Sequence, residues 1–553
     1  MTTTPTYTII DRPGVPPEEA PGRPIPPLKH ELIDHGDVTL EKDIPVELRD
    51  GTTIYIDVYR PTGQDRDLPV LLGWGPFGKH QTADNLWHDA GIEEGWISEL
   101  TGFEAPDPRY WCGHGYAIAY ADPRGLWNSE GEFRHNGPEE ARDIYDTIEW
   151  LGAAPWSNGR VGMLGVSYLA GAQFVGGALQ PPSLKAISPW ECFTDWYREF
   201  AYHGGIPESE FRTHASRRLS YSRTRTEHTK ANIEANPLMS DYYRDKYLPL
   251  EDVAVPAYVV ASWSDQGFHT RGTLEAYRRL GSSEKWLEVH GQKKWGYFYT
   301  PECVERQRQF FDYYLLDRGP GPHDWPKVRL EVREDNGRYT HRTDLPWPIE
   351  ESSAVRLPLS LDTREMGEAP TGPTSVTFDG TTEDVTVTHT FTQDTDVIGP
   401  MRLRLWLETE ESDDADVFVA VRKFNADGSE ARFPFAAFFN DGPVALGWLR
   451  ASHRQLDEAA STELRPFHPH EVEEPLTPGV PVALDIEIWP SGTRFMTGDQ
   501  LAVTILGRDF VERNPNIDRP VLTHRHTRNR GRWTLHAGGE FDSYLSLPLL
   551  PPA

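Results

Sequence analysis

The apolar residues of the first 300 positions are gathered into short, nearly continuous runs rather than alternating with polar residues. Such runs are typical of strands that helices cover on both faces, because every side chain is then buried. Helix-like segments separate the runs, and in the segment 139–151 Ala141, Ile144 and Ile148 fall on one stripe. The alternation predicts an α/β fold with a mostly parallel sheet. The runs are Thr53–Tyr59, Val70–Trp74, Tyr116–Tyr120, Val161–Gly165, Ala186–Ser188, Tyr258–Ala261 and Trp286–Val289.

The N-terminal 40 residues and the second half of the chain differ from this pattern in composition and in the spacing of their apolar residues. Residues 1–40 are rich in proline, which disfavours helix and central strand, and we expect an N-terminal arm that wraps on a neighbour. A homo-oligomer is compatible with such an arm. The catalytic domain is predicted at 41–325, interrupted at about 191–250 by an aromatic, arginine-rich helical cap. Beyond Gly319-Pro320-Gly321-Pro322 the apolar residues alternate with period two, which predicts an all-β sandwich of the jelly-roll type at 326–553.

Composition excludes several classes of partner. The formal net charge of −30 disfavours nucleic acid and anionic membrane surfaces. The N-terminus has neither a basic nor an apolar leader region, so a cytoplasmic location is expected. The three cysteines lack disulfide or metal spacing and are predicted to be buried free thiols. The histidines at 468, 470, 524 and 526 lack a completing carboxylate or cysteine spacing, and no metal or other cofactor is predicted.

One segment carries the pattern of a nucleophile. Gly165-Val166-Ser167 follows a buried strand and precedes small residues, as in the nucleophile elbow of α/β-hydrolases, where the residue two before the serine must be small. The usual second glycine is replaced by Leu169, with Gly171 two residues later. A structural serine at such a turn is the alternative.

A catalytic serine needs a base, and the base needs an orienting acid. Asp265 follows the run Tyr258–Ala261, and His290 ends the next run, so both are expected at the carboxyl edge of the sheet. A helix cap for Asp265 and a core or turn role for His290 remain alternatives.

Longer motifs make the chain resemble the family of cocaine esterase, X-Pro dipeptidyl-peptidase, glutaryl acylase and α-amino-acid ester hydrolases. The resemblance runs from about Val38 and implies a hydrolase domain with a cap, followed by a β-sandwich that helps to close the cleft. It implies Ser167 as nucleophile, Asp265 as acid and the Tyr168 N–H as one oxyanion donor. The motifs are Leu48-Arg49-Asp50-Gly51-Thr52, Asp122-Pro123-Arg124-Gly125, Pro155-Trp156-Ser157-Asn158-Gly159-Arg160 and Gly447-Trp448-Leu449-Arg450.

Two positions depart from the family pattern. Members often carry a tyrosine in the loop after the first hydrolase strands, whose hydroxyl donates to the oxyanion, but here the position is Phe77. Three alternatives follow: a backbone N–H near Phe77 or Gly78 is the second donor, another side chain is the second donor, or the oxyanion is less stabilised. The family's Gly-Pro-Trp-x-His is replaced by a sequence with Lys294 at the histidine position, so His290 is the predicted base and Lys294 the weaker alternative.

These observations predict a serine hydrolase that cleaves a carboxylic ester or lactone through an acyl-enzyme. The chain has no large extra N-terminal domain of the dipeptidyl-peptidase kind, which favours ester or lactone over peptide. Amide or X-Pro dipeptidyl-peptidase-like cleavage is the alternative within enzymes, and a non-catalytic binding protein is the alternative outside them. Trp74, Trp127 and Trp263 are predicted either to line an apolar acyl pocket or to pack in the core.

Overall fold

The structure, a computed structural model, describes residues 7–21, 25–82, 88–335, 337–511 and 522–552. Fifteen strands and nine helices lie in the described part of the first 342 residues. The strands are β1 Asp11–Pro13, β2 Glu31–Asp34, β3 Val38–Glu47, β4 Thr53–Pro61, β5 Leu68–Trp74, β6 Ala117–Asp122, β7 Ser157–Val166, β8 Leu184–Trp190, β9 Tyr202–His203, β10 Ile206–Pro207, β11 Arg225–Glu227, β12 Ala257–Ser262, β13 Lys285–His290, β14 Val328–Asp335 and β15 Arg338–Arg342. The helices are α1 Pro108–Gly113, α2 Pro138–Ala153, α3 Tyr168–Ala178, α4 Phe211–Arg218, α5 Thr229–Ala235, α6 Asp241–Arg244, α7 Thr270–Arg279, α8 Lys294–Phe298 and α9 Pro301–Leu316.

Eleven of these strands form one mixed sheet in the order β2-β3-β4-β6-β5-β7-β8-β12-β13-β14-β15. The seven strands from β6 to β14 are parallel, and β5, β6 and β12 are buried along their whole length. Complete burial explains why the apolar runs are continuous. Because the strands are parallel, residues that follow β5, β7 and β12 meet at one edge of the sheet, where ligands bind in open α/β sheets.

The segment between β8 and β12 contacts this edge, where the Phe193 ring lies 4.3 Å from the ring of His269. It holds a π-helical turn at Tyr197–Ala201, the short helices α4 to α6 and the short strands β9 to β11, so it is more mixed than the helical segment expected from the sequence. The N-terminal arm packs on it: β1 pairs with β11, and Val15 bridges Tyr221. Residues 1–6 and 22–24 of the predicted arm lie outside the described residues.

The second half is β-rich, and its described strands pair mainly antiparallel around a separate apolar core. Its longest strand, β20, pairs with β26, β28 and β29, while β21 pairs with β25 and β27. The strands are β16 Ala354–Ser360, β17 Glu365–Met366, β18 Thr374–Asp379, β19 Asp384–Thr390, β20 Thr395–Thr409, β21 Asp416–Phe424, β22 Glu430–Ala431, β23 Phe433–Phe435, β24 Phe439–Gly442, β25 Ala445–Arg450, β26 Val482–Phe495, β27 Gln500–Leu506, β28 Arg532–Ala537 and β29 Tyr544–Leu550.

The two halves share an apolar cluster that includes Ile206 from the cap segment, Phe268 from the loop after β12, and Trp448 and Trp489 from the second half. The three cysteines are buried and free, as predicted. Within the described residues, no helix is both long and apolar enough to span a bilayer.

Candidate active site

Ser167 stands at a sharp turn between β7 and α3. Its backbone has φ 59° and ψ −114°, a conformation that L-residues rarely adopt and that costs of order 1–3 kcal/mol. The Ser167 N–H donates to the carbonyls of Trp190 and Glu191, both at 2.9 Å, which ties the turn to the end of β8. This is the strained strand-to-helix geometry of a nucleophile elbow.

Leu169 fits at the elbow because its neighbours are glycines. A Cβ at Gly165 would come within 2.5 Å of the Leu169 Cβ, and a Cβ at Gly75 would come within 2.3 Å of its Cδ1. A Cβ at Gly171 would meet no atom within 4 Å. The space that the usual second glycine leaves open is therefore filled here by the leucine, and Gly171 does not replace that glycine.

Asp265 and His269 face Ser167 from the loop after β12. The Nε2 of His269 lies 3.1 Å from the Ser167 Oγ, and its Nδ1 hydrogen-bonds the Asp265 carboxylate. A carboxylate at Nδ1 keeps the ring proton there, so Nε2 is free to accept the serine proton. The Asp265 carbonyl also accepts the His269 N–H at 3.1 Å, which fixes the residue four positions on against the acid.

The structure contradicts the prediction that His290 is the base, because its side chain does not face Ser167. His290 is the last residue of β13, in register with Ser262, and its side chain is fully buried. Its Nε2 hydrogen-bonds Glu191 at 3.2 Å, and its Nδ1 accepts the Gln292 N–H at 3.2 Å. Both ring nitrogens are thus engaged away from Ser167, and the ring stacks on Tyr297 at 4.0 Å.

Lys294 begins α8 and reaches the same acid. Its Nζ lies 2.9 Å from the Asp265 carboxylate and 3.0 Å from the Nδ1 of His269. Burial alone would lower the pKa of Lys294, but the charges of Asp265, Glu191 and Glu104 raise it by more than burial lowers it. The net pKa therefore lies above the ordinary value of a lysine. A protonated lysine is no base, so the alternative reading of Lys294 as the base is not supported.

The ammonium of Lys294 acts on its two neighbours. Burial, followed by the positive charge of Lys294, lowers the pKa of His269 to about 4. Burial raises the pKa of Asp265, but Lys294 and His269 lower it more, and the net pKa lies below its usual range. At neutral pH the constellation is therefore a carboxylate, a neutral imidazole and an ammonium.

The two predicted oxyanion donors, Tyr168 and Phe77, follow the nucleophile and strand β5, respectively. Within the described residues, the N–H groups of Tyr168 and Phe77 hydrogen-bond no other group. The rings of Phe77 and Tyr168 lie 6.4 Å apart, so the loop after β5 stands against the elbow. The phenyl ring of Phe77 offers no side-chain donor, so a donor from this residue can come only from its backbone.

The three tryptophans do not form the predicted acyl pocket. Trp74 and Trp263 are fully buried in the core of the first half, where their indole N–H groups donate to Glu140 and to the Glu331 carbonyl. Trp127 is also buried, stacks on Tyr221 and donates to the Pro76 carbonyl at 2.9 Å. Its ring underlies Gly78, so it supports the loop of Phe77 rather than lining the cleft.

The second half holds the loop that carries His269. Gln266 Nε2 donates to the Pro490 carbonyl at 2.9 Å, and its Oε1 accepts the Leu446 N–H at 3.1 Å. The Ser264 carbonyl accepts the Ala436 N–H at 3.0 Å. These three hydrogen bonds tie the loop to residues more than 150 positions further on.

One cluster of the described residues has metal-ligand geometry, namely Asp43, Asp57 and His80. The Nζ of Lys79 lies inside it, 2.9 Å from Asp57 and hydrogen-bonded to Asp43. The lysine already supplies the positive charge that a cation would bring, so the cluster does not fit a metal ion.

Comparison with known proteins agrees with this architecture. Residues 50–293 match the X-Pro dipeptidyl-peptidase (S15) family, and residues 321–546 match the X-Pro dipeptidyl-peptidase C-terminal non-catalytic domain. A crystal structure of a CocE/NonD family hydrolase from Staphylococcus aureus superposes with a TM-score of 0.90 at 34% identity and covers 99% of both chains.

Other relatives are more distant or cover less. Cocaine esterase from Rhodococcus sp. (strain MB1 Bresler) is 34% identical over 174 residues, which is 32% of this chain and 27% of that enzyme. The chain therefore aligns with about a quarter of the length of this relative. An α-amino acid ester hydrolase structure covers 96% of this chain and 100% of its own at 17% identity and a TM-score of 0.70, which shows the shared fold.

Proposed function

Because the chain belongs to the cocaine esterase and X-Pro dipeptidyl-peptidase family of hydrolases, we propose that it is a serine hydrolase that cleaves a carboxylic ester or lactone. Ser167 is the nucleophile, His269 the general base and Asp265 the orienting acid. The observation that carries the proposal is the continuous hydrogen-bonded path from the Ser167 Oγ through both nitrogens of His269 to Asp265.

The reaction follows from this path. The Ser167 Oγ attacks the carbonyl carbon while its proton passes to the Nε2 of His269, and the carbonyl oxygen becomes an oxyanion. The N–H groups of Tyr168 and Phe77 donate to that oxyanion. The carbon–oxygen bond to the alcohol breaks as His269 returns the proton to the leaving oxygen, and water, deprotonated by His269, then releases the acid and restores Ser167.

In this scheme His269 takes over the function of the family histidine that the chain lacks. Lys294 stands where the family pattern places the base and binds the same carboxylate, while the imidazole comes from the start of α7. The binding-protein alternative drew on Phe77 and on the displaced histidine. A base within 3.1 Å of Ser167 removes the second of these reasons.

The activities named for the relatives point to two substrate classes, esters and amides. Ester cleavage is supported by the similarity to cocaine esterase and amide cleavage by the S15 match. A dipeptidyl-peptidase must hold a protonated amino terminus near the scissile bond, whereas the cleft next to Phe77 presents the cation of Arg218. Like charges disfavour such a substrate, and we therefore prefer the ester.

The finer architecture belongs to the same proposal. We assign residues 191–250 as a cap over the cleft and the second half as a jelly-roll sandwich that holds the His269 loop through Gln266. In this scheme the substrate is a small molecule, and the reaction needs no metal or organic cofactor. A cytoplasmic location remains the expectation.

A fluorophosphonate probe tests the assignment of roles. We expect an adduct on Ser167 by peptide mass spectrometry, abolished in Ser167→Ala and slowed at least a hundredfold in His269→Gln. The matched variant His290→Gln should still label, since His290 contacts Glu191 and not the serine. Labelling that survives His269→Gln but not His290→Gln in folded protein would restore the base predicted from the sequence.

A further inference from the structure

Arg218, the last residue of α4, has an unusual environment. Its guanidinium carbon lies 5.3 Å from the ring centroids of both Phe77 and Phe103. Among the described residues, its side chain makes no hydrogen bond and no ion pair within 4.0 Å, and it remains half-buried. Several other arginines of the cap segment form ion pairs, for example Arg198 with Asp195 and Arg244 with Asp241.

The surroundings of Arg218 place it at the cleft. Phe77 belongs to the loop that supplies the proposed oxyanion donor, and its ring contacts Tyr168, the residue after the nucleophile. Phe103 packs against Phe77 at 4.8 Å and against Trp295 at 5.6 Å. The two phenylalanines, Arg218 and Ser167 are each only partly buried, and the Phe77 ring lies between the arginine and the elbow residue Tyr168.

Burial lowers the pKa of Arg218 and the charge of Glu104 raises it against that effect, but among the described residues no ion pair joins the two side chains. The Glu104 carbonyl holds the elbow by accepting the Val166 N–H at 3.1 Å, and its Oε1 accepts the Trp295 indole N–H at 3.1 Å. Its buried Oε2 has no partner, and no contact within 4.0 Å joins it to Arg218. Burial raises the pKa of Glu104 to about 8, so this carboxyl is mostly protonated at neutral pH.

A guanidinium that lies beside two aromatic rings and forms no ion pair suits a planar anion. Its fork of N–H groups matches a carboxylate in a bidentate arrangement, and neighbouring aromatic rings are favourable surroundings for the cation. A neutral ester would leave these donors unsatisfied, whereas a carboxylate on the substrate would engage them.

We propose that Arg218 binds a carboxylate carried by the substrate, so that the esters cleaved at Ser167 bear an anionic group on their acyl or their alcohol part. The inference rests on the proposed function for the cleavage step, but the recognition of the carboxylate does not depend on turnover. It makes Arg218 a specificity-determining residue, separate from the groups that perform the chemistry.

Binding to the inactive Ser167→Ala protein tests the proposal without hydrolysis. Two matched ester pairs are titrated by calorimetry: 4-nitrophenyl adipate half-ester against its methyl ester, and 4-acetoxybenzoate against its methyl ester. The first pair carries the carboxylate on the acyl side and the second on the alcohol side. We expect one charged ester to bind about 10- to 100-fold more tightly than its neutral partner, as a charge-assisted hydrogen bond provides.

Variants of Ser167→Ala assign that preference to the residue. Adding Arg218→Gln should abolish it while the neutral ester binds unchanged, and Arg217→Gln, the exposed neighbour on the same helix, should preserve it. If Arg218→Gln does not fold, Arg218→Lys decides, because losing the fork should weaken only the charged ester.

Equal binding of charged and neutral esters in both pairs, no binding of either charged ester, or a preference that survives at Arg218→Gln overturns the proposal. If the wild-type protein binds the charged ester but hydrolyses no ester, the proposed serine hydrolase function is refuted and the proposed binding site is not.

Discussion

Replacing Lys294 by methionine tests how the candidate base is tuned. Methionine has a similar length but no charge, so the variant removes the ammonium that lies 3.0 Å from the Nδ1 of His269. His269 must be neutral to accept the serine proton, and its pKa, held at about 4 by burial and by Lys294, sets the acidic limit of activity. Removing the positive charge stabilises the imidazolium and must raise that pKa.

The size of the effect follows from the distance. Two unit charges about 3 Å apart interact by about 5.5 kcal/mol at an effective dielectric constant of about 20, and about 1.4 kcal/mol corresponds to one pKa unit. This is an upper bound, since the carboxylate of Asp265 already balances most of the charge of Lys294. Burial is the larger cause of the low pKa and persists in the variant. We therefore expect a rise of about 1–2 units, toward the ordinary value of about 6.5.

The assay is the pH profile of kcat/KM, or of fluorophosphonate labelling, between pH 3.5 and 8. Wild-type activity should fall only near pH 4, whereas Lys294→Met should already lose activity between about pH 5 and 6. Lys293→Met, whose lysine donates to the Asp89 carbonyl, is the matched control and should keep the wild-type profile. An unmoved acidic limit in folded Lys294→Met protein would refute the electrostatic reasoning, and loss of labelling at every pH would make Lys294 the base.

Three further outcomes are expected. Gly165→Ala should lower kcat/KM for ester hydrolysis by about a hundredfold, because its Cβ would displace Leu169 at the elbow. Gly171→Ala has open space around its Cβ, so it should leave activity intact and raise the free energy of unfolding, measured by thermal unfolding, by a few tenths to about 1 kcal/mol. Gln266→Ala should lower kcat more than KM, and cost about 1–3 kcal/mol in urea unfolding, because it releases the His269 loop from Pro490 and Leu446; unchanged kinetics would refute this link. Burial lowers the pKa of His80, but Asp43 and Asp57 raise it to a net value of about 8. His80 therefore contributes about 2 kcal/mol to the free energy of unfolding below pH 6.5, and this contribution is lost as the pH rises through 8. His80→Gln should remove that part of the pH dependence of the free energy of unfolding.

The elements that sequence patterns locate best here are those fixed by the sheet. Continuous apolar runs predicted the strands β5, β7 and β12, and a parallel arrangement brings the residues after them to one edge. Ser167 and Asp265 follow two of these strands and do meet there through His269. The tryptophans at the ends of the same strands were less predictable, because the choice between core and cleft depended on distant partners such as Glu140.

The base escaped prediction because it was sought at a strand end. His290 does end its strand, but the direction of its side chain is set by pairing with β12 and by Glu191, neither of which a single strand reveals. The useful signal was the spacing Asp265-x-x-x-His269 just before a helix, since one helical turn brings residues i and i+4 together.

The exchange of histidine and lysine around Asp265 has a wider consequence. The carboxylate can orient an imidazole from the loop after β13, as the family pattern has it, or from the start of α7, as here, because both positions lie beside it. The base site in this chain is therefore defined by the acid and not by a position along the sequence. An imidazole in the loop after β12 also lies where Gln266 hydrogen-bonds the second half, so in the proposed mechanism the β-rich half helps to align the base. In a relative with lysine at the usual histidine position, the presence or absence of histidine four residues after the acid should separate active serine hydrolases from chains that have lost the base.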